Sequence, residues 1–360
     1  MNNPLDDFKK IFKNLTASKE KSVLGIDIGS SSIKVVQMRD SGGKAVLETY
    51  GSISLGLYKE EKGFVGEVVN LPAERLSTAL GDILRESNVT TKRTAMSIPS
   101  ASTLVFTMTF PSSVKESELK SVVPLESRRY IPVDISEVSL DWWILPKRSF
   151  VTPSNPAKKK ISTETVVLVV AVRKDTVASL QEVLVQSGLK QDFLEVEAFS
   201  SVRASVEHDL STILVVDIGA ARTKLVFMDG GVIRDVHVIN RGSEDITQGL
   251  VSSFDMSFDE AENLKKNEGL NVLDESQRKN ISQSIDFILS EIKNVVYQYQ
   301  QKYGVNIDKM IISGGGSRMN GLLTYLNEKL QFEVFFSDPF GQTEAPEFLR
   351  GALGDAGPEF

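Results

Sequence analysis

The sequence predicts an α/β protein built from two related halves that face each other across a cleft. Two observations carry this: the run DIGSSSIK at residues 27–34 returns as DIGAARTK at 217–224, and each heads a unit of strand, small-residue turn, strand and strand. A repeat at so long a spacing points to half-molecules rather than to a solenoid. A third observation, three consecutive glycines after the apolar run MII near the end, supplies one more turn of the kind that lies against a ligand. With 360 residues, 41% of them apolar and 25% charged, the chain is long enough for two separate cores.

In chain order, Phe8, Ile11, Phe12 and Leu15 recur at helical spacing among Lys9, Lys10 and Lys13, which predicts a short basic amphipathic helix within residues 1–20. VLGID at 23–27 reads as a strand, IKVVQM and AVLETYGSIS as the next two, and residues 71–87 as a helix. Thr94–Ile98 and the run 102–110 read as strands, about 115–130 as a helix, and 139–145 as a strand in which Trp142 and Trp143 point to opposite faces. One tryptophan is therefore expected in a core and the other exposed or against a partner. Residues 151–164, rich in Pro, Ser, Thr and Lys, predict a solvated loop with Lys158, Lys159 and Lys160 at a charged tip. TVVLVVAV reads as a strand buried on both faces, followed by a helix ending at Gly188 and by FLEVEAF, a strand running into a helix. After the repeat come helices over 243–253, 258–267 and about 276–303, then the strand KMIIS, the glycine turn and a further helix.

Backbone N–H groups can hold a phosphate chain only where side chains do not block its approach, so small residues in a tight turn are required. Both repeated turns meet this, each with an Asp at a strand end, a Gly two residues on and a Lys at the eighth position. The Asp carboxylates would face a metal ion carried by the phosphates. Taken singly, either turn is an ordinary hairpin; two copies heading two similar halves are not. Gly314, Gly315 and Gly316 exceed what a turn needs and are expected to admit a flat ligand such as adenosine.

These three segments, in this order, resemble the two phosphate motifs and the adenosine motif of the actin, sugar-kinase and heat-shock chaperone superfamily. Within it, VLGIDIGSSSIKVVQM, LESRRYIPVDISEVSLDWWIL, AVRKDTVASLQEVLVQSGL, FDEAENLKK and MIISGGGSRMNGLLTYL are similar to the PilM family of type IV pilus assembly proteins. The resemblance implies a two-lobed actin-like (ribonuclease H-like) ATPase fold with a relocated FtsA-type subdomain in the first lobe. The implied division is an N-terminal basic segment at 1–20; first-lobe core at 21–98 and 164–208 around an inserted subdomain at 99–163; and a second lobe with core at 209–253 and 306–360 around a small subdomain at 254–305. A closing helix after residue 360 is also implied.

By the same resemblance, ATP with Mg2+ is the expected ligand. Asp27 and Asp217 would flank the metal; Gly29, Ser30, Ser31, Ser32 and Lys34 from the first turn, and Gly219, Ala220, Thr223 and Lys224 from the second, would hold phosphates. Glu262 and Lys265 would contact adenine and ribose, with Gly314, Gly315, Gly316 and Arg318 facing the purine, and Glu197 would orient water. The second turn departs from the glycine-rich superfamily pattern at Ala220, Ala221 and Arg222, which implies loose phosphate contact and slow or no hydrolysis. The implied partner is the N-terminal cytoplasmic peptide of PilN, bound beside the relocated subdomain near Tyr130, Ile131 and Pro132, within the inner-membrane assembly platform. Self-association into a homo-oligomer is compatible with this. An FtsA-like membrane-tethering filament and a small-molecule kinase are the rival readings; the kinase lacks an identifiable catalytic Asp, and no C-terminal amphipathic anchor is visible for the filament.

Other chemistries are excluded on composition. Without cysteine there is no disulfide, thiolate metal site or iron–sulfur cluster. A net charge of −7 argues against nucleic acid as the main partner. GxxxxGK[ST] and GxGxxG are absent, and His208 and His237 stand too far apart for a local metal pair. Because no apolar run reaches 18 residues, a cytoplasmic chain held at the inner membrane by its partner is expected.

Overall fold

The computed structural model describes residues 22–61, 63–146, 149–151, 159–161, 164–207 and 209–360. The amphipathic segment 1–20 and His208 lie outside the described residues.

The first lobe is organised on a five-stranded sheet. Strands β1 (Ser22–Ile28), β2 (Ser32–Ser41) and β3 (Lys44–Ser54) form an antiparallel meander, and burial alternates along the first part of β2 as the pleat sends successive side chains to opposite faces. Helix α1 (Ala73–Glu86) then leads to β4 (Arg93–Ile98), which pairs parallel to β1. The chain leaves this sheet for β5 (Thr103–Phe110), α2 (Glu116–Ser127), β6 (Val138–Ile144), the short hairpin β7 (Ser149–Val151) and β8 (Lys159–Ile161), and β9 (Thr165–Arg173). It returns through α3 (Lys174–Gln186) to β10 (Lys190–Val196), parallel to β4, and ends the lobe with α4 (Glu197–Ser205).

The second lobe repeats the plan. Its meander is β11 (Ile213–Ile218), β12 (Thr223–Asp229) and β13 (Val232–Ile239). Three helices follow: α5 (Ser243–Phe254), α6 (Phe258–Asn267) and α7 (Glu275–Tyr303). Strand β14 (Lys309–Ser313) pairs parallel to β11, α8 (Leu322–Lys329) leads to β15 (Glu333–Phe336) parallel to β14, and α9 (Arg350–Ala356) comes last. The strand orders, β10-β4-β1-β2-β3 and β13-β12-β11-β14-β15, are the same arrangement built twice. On β11, Ile213 and Val215 join the core of the first lobe while Leu214 and Val216 join that of the second, which is why ILVV is apolar without alternation. The buried stripe of α7 runs Ile281, Ile285, Ile288, Leu289, Ile292, Val296 and Tyr299, one helical face.

Three expectations change. Strand β9 is the centre of a separate sheet ordered β5-β9-β6, so the inserted unit takes its middle strand from beyond residue 163. The apolar run is buried on both faces, as its composition predicts, but in the insertion rather than in the lobe sheet. Neither tryptophan is fully exposed: Trp142 packs on the core of the insertion and Trp143 on the first-lobe core, edge-on to Phe199 at 6.0 Å, because β6 has packed side chains on both faces. Residues flanking the lysine-rich stretch do form a hairpin, β7 with β8, but Lys159 and Lys160 lie in strand β8 itself, while Lys158 lies outside the described residues.

Two phenols mark where helices are tied down. Tyr58 donates to Asp82 on α1 at 2.8 Å, and Tyr325 on α8 donates to Asp286 on α7 at 2.7 Å. Partial burial, then the neighbouring carboxylate, pushes each up to about 12 from the ordinary 10.0. A raised value means the protonated phenol's contribution is fully present below pH 10 and is lost as pH rises through about 12. Ultraviolet titration of the phenols should therefore show Tyr58 and Tyr325 ionising late, and Tyr58→Phe should remove one late-ionising phenol.

Candidate functional site

The two repeated turns fold identically. In the first, Asp27 pairs across the hairpin with Lys34 and the amide of Gly29 donates to Ser32 O at 2.9 Å; in the second, Asp217 pairs with Lys224 and Gly219 donates to Arg222 O at 2.9 Å. Cross-strand pairing places each Lys beside its Asp at the mouth of the turn. Ser30 and Ser31 offer their carbonyls to the amides of Val69 and Leu55. At the second turn, Gly219 and Ala220 accept from the first amides of α5, Ser243 and Glu244, at 2.9 and 3.0 Å. Thr223 is fully buried and its hydroxyl donates to Arg241 O.

The glycine run meets the second turn directly. Gly314 has φ +84°, and a Cβ there would lie 2.1 Å from Asp217 Oδ1 and 2.6 Å from Ile218 O; a Cβ at Gly316 would strike the Ile218 side chain and its carbonyl. The internal contact by itself therefore requires glycine at two of the three positions. Gly315 is the exception: it is exposed and its Cβ would meet nothing within 4 Å. Arg318, also exposed, closes this turn.

Beneath the turns, a charged group joins the lobes. Lys224 Nζ donates to Asp217 Oδ2 at 2.8 Å on its own lobe and to Glu197 Oε1 on the other, while Glu197 Oε2 accepts from the Ser100 amide at 3.0 Å. The side chains of Lys224, Glu197 and Asp217 are only 19%, 11% and 18% exposed. Burial pushes Glu197 above the ordinary carboxyl value despite Lys224. For Asp217 burial acts in the same sense but Lys224 outweighs it, holding the carboxyl below its usual value. Burial opposes charge on Lys224 too, and Asp217, Glu197 and Asp27 overcome it, raising the ammonium above the ordinary lysine value. Asp27 sits in the same group, accepting from the Ser97 hydroxyl.

Glu262 and Lys265 lie on the inner face of α6, both buried and tied together at 2.6 Å. Thr247 donates to Glu262 Oε2 at 2.7 Å, and Lys265 reaches Thr247 Oγ1 and Ser243 O at 2.9 and 3.2 Å. Sequence reasoning missed what covers them. The segment between β3 and α1 crosses from the first lobe onto this helix pair: Phe64 stacks on Phe258 with centroids 5.4 Å apart, the Val68 amide donates to Glu244 Oε1 at 3.1 Å, and Gly66 lies where a Cβ would be 2.7 Å from Glu262 Oε1. Gly63 and Gly66 were its only local signals.

The donor set suits a phosphate-borne Mg2+, which takes one or two carboxylates and completes its octahedron with phosphate oxygens and waters. Asp27 and Asp217 are the residues that would hold it, and it would neutralise phosphate charge. Among the described residues no three His, Asp or Glu side chains are grouped as a metal cage.

The family model described as "Type IV pilus assembly protein PilM" matches residues 25–352. A curated relative, the cell division protein FtsA of Neisseria meningitidis serogroup B, is 26% identical over 217 residues, 53% of this chain and 50% of that protein, so the match spans half the relative's length. Among solved structures, the chain is similar to a PilM-PilN type IV pilus biogenesis complex, at 24% identity and TM-score 0.76, over 95% of this chain and 96% of the other. It is also similar to the ethanolamine utilization protein EutJ of Carboxydothermus hydrogenoformans, at 14% identity and TM-score 0.51, covering 91% and 93%. Among the described residues no helix is long and apolar enough to cross a membrane.

Proposed function

Because the chain belongs to the type IV pilus assembly protein PilM family, with its FtsA-like, actin-like two-lobed fold, we propose that it is an ATP-binding scaffold of the inner-membrane pilus assembly platform. In this reading the nucleotide sets the closure of the lobes, and closure sets the shape of a surface that holds the cytoplasmic N-terminal peptide of a PilN-like protein. The observation that carries it is the charged group beneath the two Asp-Gly turns, in which Lys224 and Asp217 of the second turn meet Glu197 and Asp27 of the first lobe; it supports phosphate contacts from both lobes. The structure solved as a PilM–PilN complex supports the partner. Both oxygens of Glu197 already accept hydrogen bonds, from Lys224 and Ser100, which leaves the carboxylate poorly placed to orient water and favours slow or no hydrolysis. A cytoplasmic position at the membrane follows from the partner.

The peptide surface belongs to the insertion. Tyr130 lies flat against Phe106 at 4.8 Å and is still 53% exposed, and Leu125 on α2 is 59% exposed. Calorimetry with ATP and Mg2+ is expected to show binding that weakens about tenfold to a hundredfold in Lys34→Ala, the range for losing a charged hydrogen bond. Titration with a PilN N-terminal peptide should show binding that Tyr130→Ala weakens. Unchanged ATP affinity in the lysine variant would remove the nucleotide site from this cleft; no peptide binding to the intact chain would remove the partner.

A further inference from the structure

We propose that residues 63–69, which cross from the first lobe onto α5 and α6, form a latch whose opening sets how fast nucleotide enters and leaves; this rests on the nucleotide site described above. The segment is a stiff part of the first lobe. The Glu67 carboxylate accepts from the Phe64 amide at 2.9 Å and from Lys59 at 2.7 Å, and a Cβ at Gly63 would lie 2.1 Å from Gly56 O, so the turn is closed on itself. The Gly66 amide donates to the Ser54 hydroxyl at 3.2 Å and the Val69 amide to Ser30 O at 2.9 Å, which roots the segment on β3 and on the first Asp-Gly turn. Its hold on the second lobe is the stack of Phe64 on Phe258, the Val68 amide on Glu244 and the contact of Gly66 with Glu262.

Other ties between the lobes lie among the residues expected to hold phosphates. Lys224 meets Glu197 beneath the turns, and Lys34 of the first turn donates to the backbone carbonyl of Glu359. The latch stands apart from these, over Glu262 and Lys265, whose side chains are each 8% exposed. With Gly66 seated on the Glu262 carboxylate, the pair becomes open to a nucleoside from this side when the latch leaves α5 and α6. A segment so firmly rooted leaves by rotation of one lobe away from the other, with no loop to unfold.

Phe64 and Phe258 are half-buried at the surface and touch each other rather than the groups assigned to the ligand, so their stack favours the closed lobes equally with and without nucleotide. Removing it speeds entry and release together and leaves affinity as it was, because a contact that does not discriminate between the two cannot shift their balance. A ring contacting the ligand would speed release alone; a merely structural contact would move neither rate. Stopped-flow mixing with a fluorescent ATP analogue and Mg2+, followed by a chase with unlabelled ATP, compares the intact chain with Phe64→Ala, Phe258→Ala and the double variant. Both rate constants are expected to rise about twofold to tenfold, the worth of an aromatic pair, with the dissociation constant held within about twofold. The double variant should be no faster than either single one, since one contact is lost in all three. Rates that do not move, release that speeds without entry, or effects that multiply in the double variant overturn the latch and leave the nucleotide site standing. An analogue that does not bind the intact chain overturns the site, and the latch with it.

Discussion

Alanine at Gly314 is expected to destabilise the chain by about 2–6 kcal/mol, while alanine at Gly315, one residue on, should change stability by no more than about 0.5 kcal/mol. The first residue has φ +84° and ψ 160°, a region open essentially to glycine, and its added methyl would overlap the Asp217 carboxylate and the Ile218 carbonyl. Neither obstacle is the far end of a flexible chain: one is backbone and the other is held by Lys224. Strain and overpacking each contribute about 1–3 kcal/mol, which sets the range. Gly315 has an ordinary φ and open space in front of it. Urea denaturation followed by far-ultraviolet circular dichroism checks both. If a purine lies against Gly315, as the resemblance implies, the Gly315→Ala change should weaken ATP binding without moving the midpoint. A fall in its midpoint as large as that of Gly314→Ala would contradict the packing account.

Replacing Lys224 by methionine is expected to lower stability by about 3–5 kcal/mol, the cost of leaving buried charge uncompensated. Glu197 and Asp217 would then share a dry site between the lobes with no cation within hydrogen-bonding distance. The pH dependence of the Asp217 contribution should change sign with it, while that of Glu197, already raised in the native chain, keeps its sign. In the native chain the Asp217 carboxyl sits below its ordinary 3.8, so its contribution is present above that pH and is lost as pH falls through the lower folded value. Without the ammonium both carboxyls are raised by burial, the folded state binds more protons than the unfolded one, and the variant should gain stability as pH falls from neutral toward the ordinary carboxyl range. Glu197→Gln placed on the Lys224→Met background should recover part of the loss, since it removes one of the two stranded charges. A methionine variant that melts with the native chain at neutral pH would show that the ion pair does not bridge the lobes in solution.

Much of this site was legible in the sequence because it is local. An Asp at the end of one strand and a Lys seven residues later must meet across a tight hairpin, and both pairs do. The duplication, the glycine turn and the apolar stripe of α7 could be read the same way, from spacing alone. What escaped is whatever one segment does to another far away. Nothing near Gly314 announces that Asp217 will lie against it, so its need for glycine was assigned to a ligand. Nothing near TVVLVVAV says which sheet it will enter; a run buried on both faces fits the centre of either. The crossing of Phe64 onto Phe258 and the hold of Glu197 on Lys224 likewise join segments brought together only by the fold, and the charge on a lysine is the same in a sequence whether it waits for phosphate or is already paired.

The order of synthesis gives the contact between Lys34 and Glu359 a meaning in time. Strands β1 to β10 can all pair before the second lobe exists, so the first turn is formed early, yet the segment that covers its lysine is separated from it by 325 residues. At ribosomal speeds of about 5–20 residues per second the turn waits on the order of tens of seconds for that cover. The nascent first lobe therefore carries an uncapped lysine until the strands and helices of the second lobe have been made.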